Sequence, residues 1–385
     1  MADQASRSAW AIDEVDRWLF SEAMTSLLEL LRCEPPSDEA ATAAPPRLRA
    51  GPETPPWLAK LLELEAEYGA SALSRPLRLL ERAIEIERQA ARQFDFRSPD
   101  GPPYRERTSA VPDLDESARF NIEQLTSALG FIHPVPTQYP AYDKTLVLGG
   151  GFRSPLLRAR YAALLEGRGI RLGELYFLGS PRFLITNGPP ERLVTETYAP
   201  AATDEFDLMV ASSQAEFRLV ASHVTFLCGC SSSDSICTRW RHDANDVGDV
   251  PPPYTHERSL DLLDADGHRR GSIISASTSR PPYRPSTSDT LALWVRLAAP
   301  NPGQRVLIVT SQLFVPFQRF EHLRRLYLPY GVEIDAVGFD AEWHNRAQSS
   351  ENLLQAALSA IRSAKQLLMA AIKILHHMQF EDRSS

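Results

Sequence analysis

Residues 145–169 read TLVLGGGFRSPLLRARYAALLEGRG, and the fold follows from how this stretch changes period. Thr145 to Leu148 form a short apolar run closed by glycine, the pattern of a buried strand. Beyond the glycines a helical pattern opens, with Ser154 at the cap, Pro155 in the first turn and a glycine stop at Gly167 and Gly169. Strand, glycine corner and helix together make the first half of a parallel crossover.

The same alternation continues downstream. ELYFLGS (174–180) reads as a second strand, ATDEFDLMVASSQAEF (202–217) as a helix opened by Thr203 and Asp204, and HVTFLC (223–228) as a third strand. STSDTLALWVRLA, RVLIVTSQ, RFEHLRRLYL and VEIDAVGFD then alternate helix, strand, helix, strand. The chain closes on one long helix, SSENLLQAALSAIRSAKQLLMAAIKILHHM (349–378), capped at Ser349 or Ser350. Strands separated by helices of this length require crossovers and a mainly parallel sheet. The expected fold is a three-layer α/β sandwich of Rossmann-like type, with the last helix lying on its own sheet.

Upstream the texture differs. Residues 1 to about 32 read as one helix, a proline-rich connector follows, and further helical patterns run over 57–94 and 115–131. Residues 1–135 are therefore expected to be a helical N-terminal arm or cap, and 136–385 the Rossmann-like domain. A polar, proline-rich insertion is expected at about 231–285, with strands at SLDLLDA and GSIISAS around the turn Asp266-Gly267.

Composition bounds the function. The chain has 385 residues, 43% of them hydrophobic, and a net charge of −8, which argues against a generic nucleic-acid binder. No apolar run is long enough to span a membrane, and the N-terminus lacks a secretion signal, so a cytoplasmic protein is expected. Four cysteines are too few for a disulfide framework. CGCSSSDSIC (228–237), with His223 or His242, could be read as a metal cluster, but C-x-C-x6-C is not a usual zinc spacing, and no metal is expected.

In an open parallel sheet, ligands collect beyond the carboxyl ends of the strands. Gly149-Gly150-Gly151 with Arg153 fall there, as do Arg182 after LGSP and Ser311 and Gln312 after VLIVT. Glycines let backbone N–H groups approach a ligand, the helix start adds partial positive charge, and an arginine adds a forked cation. An anion is the natural occupant, although such a corner can also serve only to pack helix on strand. Glu205 is the candidate acid–base or hydroxyl-binding group. Ser286 or Thr287 caps the next helix, with Thr290 in its first turn, and Gln318 and Arg319 begin the one after. There is no G-x-G-x-x-G, no P-loop lysine and no G-x-S-x-G.

In order, the glycine corner, TDEF (203–206), STSDT (286–290) and VTSQLFVPFQR (309–319) resemble the YdcF/SanA-like family of Rossmann-like domains, over roughly residues 144–340. That resemblance implies ligand binding at the strand ends through Gly149 to Gly151, Thr287, Thr290, Ser311 and Arg319, with S-adenosylmethionine as one candidate ligand. The family's histidine is missing: Phe314 or Pro316 stands there, so no role of that histidine carries over. The expected function is binding of a small anionic or nucleotide-like metabolite, with transferase or hydrolase chemistry if the protein is an enzyme. The alternative is a non-catalytic sensor or scaffold that meets a protein partner through its helical regions.

Overall fold

The computed structural model describes residues 2–31, 55–56, 58–59, 73–95, 114–151, 153–182, 184, 195–231, 237, 256–279, 285–344 and 348–381. Its strands are β1 (Lys144–Leu148), β2 (Glu174–Gly179), β3 (Val220–Ala221), β4 (Thr225–Phe226), β5 (Arg258–Leu263), β6 (Arg269–Ser275), β7 (Arg305–Ser311) and β8 (Glu333–Phe339). Its main helices are α1 (Ala2–Leu19), α2 (Glu22–Leu30), α3 (Ser74–Phe94), α4 (Glu116–Ala128), α5 (Ser154–Gly167), α6 (Glu205–Phe217), α7 (Thr287–Ala298), α8 (Val315–His322) and α9 (Ser350–Glu381).

The strands join in one sheet of order β3-β5-β6-β2-β1-β7-β8, with β4 also paired to β5. From β6 to β8 every pairing is parallel, with Val147 set between Phe177 and Val309. Such strands are covered on both faces and so run apolar without alternation. In chain order the five parallel strands lie third, second, first, fourth, fifth. The order reverses between β1 and β7, the place where a ligand is expected in such a sheet.

Helices α5 and α6 cover one face, where Leu157, Tyr161, Phe206 and Met209 pack on Val147, Phe177, Leu307 and Val337. Helices α7 and α8 cover the other, where Trp294 meets Tyr176 edge to face at 5.8 Å and Leu291 and Val315 join Leu146 and Ile308. Outside α8 lies a fourth layer. Val15 and Leu19 of α1, Leu27 of α2, Leu80 and Phe94 of α3, Ile122 of α4, and Leu354, Ile361 and Leu368 of α9 share one core with Phe320 and Leu323. Glu321 on α8 ties these layers, accepting hydrogen bonds from Ser288 of α7 at 2.6 Å and Ser363 of α9 at 3.2 Å, and pairing with Arg324.

Several expectations change. The first helical pattern is two helices, because Ser21 leaves helical geometry and its hydroxyl accepts from the Met24 N–H as the cap of α2. The long last helix does not lie on the sheet. It is the centre of the helical layer, so that layer is built from both ends of the chain. HVTFLC supplies only the two-residue β4, antiparallel at the sheet edge. The third parallel strand is instead β6, inside the region expected to be an insertion, and β5 pairs with it as a hairpin. Strand β5 buries every second residue, as a strand with one open face does. The helix expected from about Gln318 begins at Val315, so Gln318 and Arg319 stand within it.

Candidate functional site

The ends of β1 and β2 are where the sequence candidates converge. After Leu148 the Gly149 N–H donates to Leu178 O at 2.7 Å, which holds the glycine corner against β2. A Cβ on Gly149 would fall on the Glu205 carboxylate and within 2.5 Å of Leu178 O, so close approach of backbone and carboxylate requires glycine there. Helix α5 starts without a side-chain cap: Arg153, not Ser154, is the cap residue, and its side chain is exposed. At the start of α5 the Ser154 N–H donates to Gly151 O at 3.1 Å, Pro155 carries no N–H and the Leu157 N–H donates to Arg153 O at 2.9 Å, so this helix end offers an anion its dipole more than a row of free donors.

Glu205 is the first residue of α6 and is buried. Its carboxylate accepts from the Ser180 hydroxyl at 2.7 Å and lies 3.6 Å from the Arg182 guanidinium, while its backbone N–H donates to Arg182 O at 3.0 Å. Asp204 caps α6 in a reciprocal box with Asp207 and pairs with Arg258 of β5, whose guanidinium also stacks on Phe206 at 4.4 Å. Burial lifts the Asp204 carboxyl to about 6, against the pull of Arg258. These contacts fix the start of α6, and with it the position of Glu205.

Arg158, one turn into α5, completes the cluster. Its guanidinium is buried and donates to Leu148 O at 3.1 Å and to Gly149 O, under the glycine corner. Burial pushes its pKa down to about 10, a shift that Glu205 opposes. The sequence reading missed Arg158. The available signal was an arginine in the row of Leu157, Tyr161, Ala162 and Leu165, where the helix is otherwise buried. Two buried arginines, 158 and 182, thus face one carboxylate, and Arg153 adds a third cation at the surface.

The corner is therefore not bare backbone, as the sequence suggested: Glu205 fills one side of it and Arg158 lies beneath. Arg182, an exposed loop charge on general grounds, is buried. Gly150 and Gly151 remain half-buried beside Arg153. Ser311 leaves β7 at the height of Gly149, as the Val147–Val309 pairing requires, and is buried.

Other candidates are elsewhere. Gln312 is buried and its amide donates to Gly130 O at 2.8 Å, tying the end of β7 to the helical region. Arg319 projects from α8 to Glu14 of α1 at 2.6 Å, so it fastens the helical layer rather than facing the reversal. Thr287 and Thr290 belong to the first turn of α7, where Ser286 is the cap and Asp289 its reciprocal partner. Cysteines 228, 230 and 237 meet His256, whereas His223 is exposed and His242 lies outside the described residues.

A parallel block whose order reverses beside its first strand, with helices packed on both faces, defines a doubly wound, Rossmann-like α/β protein. The chain is 31% identical over 265 residues to uncharacterised proteins of Mycobacterium bovis (Mb3814) and of two strains of Mycobacterium tuberculosis (MT3893 and Rv3785). The match covers 66% of this chain and 68% of each relative. The chain belongs to the family of these mycobacterial proteins. No family model matches it, and no solved structure does. Among the described residues, no helix is long and apolar enough to cross a membrane.

Proposed function

We propose that the protein binds a small anionic or nucleotide-like metabolite at the carboxyl ends of β1, β2 and β7, with its negative group on the N-terminus of α5 beside Gly150, Gly151 and Arg153. The observation that carries this reading is the charge set at the ends of β1 and β2, beside the reversal between β1 and β7: among the described residues, buried Arg158 and Arg182 stand against Glu205, with exposed Arg153 beyond them. In a site of low dielectric that set favours an anion far more than the same charges would in water. Glu205 remains able to accept a hydroxyl of the ligand, and chemistry of transferase or hydrolase type would fall to it. S-adenosylmethionine is the first ligand to try, on the resemblance of the glycine corner and TDEF to the YdcF/SanA-like pattern. The scaffold alternative is weakened because the apolar stripes of α1 and α3 are already buried against α9.

A thermal-shift screen with S-adenosylmethionine, S-adenosylhomocysteine and nucleotides tests the reading. At a hundredfold excess over Kd, a bound ligand stabilises by about 2.7 kcal/mol. We expect such a shift for at least one of these, and its loss in Arg153→Glu, a surface change that leaves the fold intact. No shift with any of them, or one that survives both Arg153→Glu and Gly150→Asp, overturns the reading.

A further inference from the structure

We infer that the protein holds one zinc ion through Cys228, Cys230, Cys237 and His256, as a closed tetrahedral site that locks the connection between β4 and β5. The four candidate ligand atoms all lie within 4.8 Å of one another. Cys228 Sγ is 3.4 Å from His256 Nδ1. A sulfur and a nitrogen on one tetrahedral zinc stand about 3.5 Å apart, given zinc–sulfur and zinc–nitrogen bonds of about 2.3 and 2.0 Å. Three soft thiolates and an imidazole suit zinc better than calcium, magnesium or manganese, which prefer oxygen.

The local structure brings these groups together. Phe226 ends β4, and the Gly229 N–H donates back to Phe226 O at 3.1 Å in a tight turn. Gly229 has φ +82°, with open space where a Cβ would stand, so the turn between Cys228 and Cys230 uses the left-handed geometry glycine allows. The Leu227 N–H donates to Glu257 O at 2.8 Å, which extends the β4–β5 pairing and sets His256 beside Cys228. The His256 ring also meets Phe226 edge on at 5.9 Å. Cys237 and His256 are fully buried, so the group is not a set of exposed side chains that happen to be close.

Four protein ligands leave no open position, so the ion would be structural and not catalytic. On binding, each of the three thiols gives up its proton to solvent and the imidazole binds neutral, leaving a site of net charge −1. No electron is transferred. The ion would also fix the start of β5, where Glu257 pairs with Arg296 and Arg258 with Asp204, the cap next to Glu205.

The test is the metal content of the full-length chain, purified without chelator, by plasma mass spectrometry, together with cobalt(II) titration of the stripped protein. We expect one zinc per chain and, with cobalt, the thiolate charge-transfer bands and strong visible bands of a tetrahedral site. Cys230→Ser and His256→Ala should each lower zinc content at least about tenfold, while Cys33→Ser should keep it. Because a ligand variant can fail to fold, the cobalt spectrum of the native chain stands as an independent readout. A native chain that carries no zinc and gives no tetrahedral cobalt spectrum overturns the inference, as does an intact mass showing a disulfide among these cysteines. Full zinc in the Cys230→Ser/His256→Ala double variant overturns it too, since the ion would then sit elsewhere.

Discussion

Gly149 has two neighbours that no side chain can share space with, a carbonyl of β2 and the carboxylate of Glu205. Gly149→Ala should therefore destabilise the protein by roughly 1–3 kcal/mol, the usual cost of an overpacked site. Urea unfolding of Gly149→Ala, Glu205→Ala and the double variant separates the two neighbours. The coupling should be favourable, because removing the carboxylate relieves part of the clash while the carbonyl remains. Additive effects would mean that Glu205 does not lie against the corner. His322 gives a second prediction at this scale. It is fully buried, and burial holds its pKa at about 4 against an ordinary 6.5. The folded state thus resists protonation that the unfolded chain accepts. The stability this represents is fully present above pH 6.5 and is lost as pH falls toward 4, by on the order of 3 kcal/mol. Glu321, next to it, has its pKa lowered and loses its contribution only below the ordinary carboxylate range. His322→Gln should flatten the stability profile between pH 6.5 and 4 and leave the more acidic limb in place.

Two ion pairs attach one element to another, and their burial sets them apart. Arg258 and Asp204 are both buried and join β5 to the start of α6. Arg258→Ala strands a buried carboxylate and should cost about 3–5 kcal/mol. Arg319 and Glu14 join α8 to α1 with the arginine 31% exposed, and Arg319→Ala should cost no more than about 1 kcal/mol. Equal losses on denaturant unfolding would show that burial does not decide the ranking. The elements themselves differ in how far the sequence reveals them. Strands β1, β2, β7 and β8 and helices α5 to α8 follow from apolar runs and spacing, since each carries its full local signal. The glycine corner and Arg182 could likewise be named because they follow apolar strands directly, and Glu205 because Thr203-Asp204 marks the start of its helix. What escaped was long-range. Gln312 and Arg319 read as ligand groups until Gly130 and Glu14 supply their partners from the far end of the chain. His256 lies well beyond Cys237, so the spacing rule that dismissed the cysteines never included it. Strand β6 was legible as a strand but was assigned to an insertion, because only its pairing with the distant β2 places it in the parallel block.

The whole molecule is a doubly wound sheet with an added helical layer, and the two ends of the chain depend on each other. Leu354, Ala357, Ile361, Ala364, Leu368 and Ile372 of α9 are buried, facing a core that Ala11, Val15, Leu19, Leu80 and Phe94 complete from the N-terminal side. Periodicity shows that α9 has an apolar stripe, but a stripe does not say which surface covers it. Both the sheet and the N-terminal helices were available, and α8 already occupies the sheet face. The boundary near residue 135, natural in sequence, is therefore not a place to cut. A chain of residues 136–385 would expose an apolar surface beyond the few hundred Å2 that soluble monomers tolerate. It would also remove the acceptor Gly130 O and the acid Glu14 that hold Gln312 and Arg319. Expressed alone, that fragment should aggregate. Co-expression with residues 1–135 should return it to solution as a complex of one copy of each, read by size exclusion with light scattering. A soluble, monomeric 136–385 fragment with the melting temperature of the full chain would show that the helical layer is an accessory, and that the sheet and its own four helices carry the stability unaided.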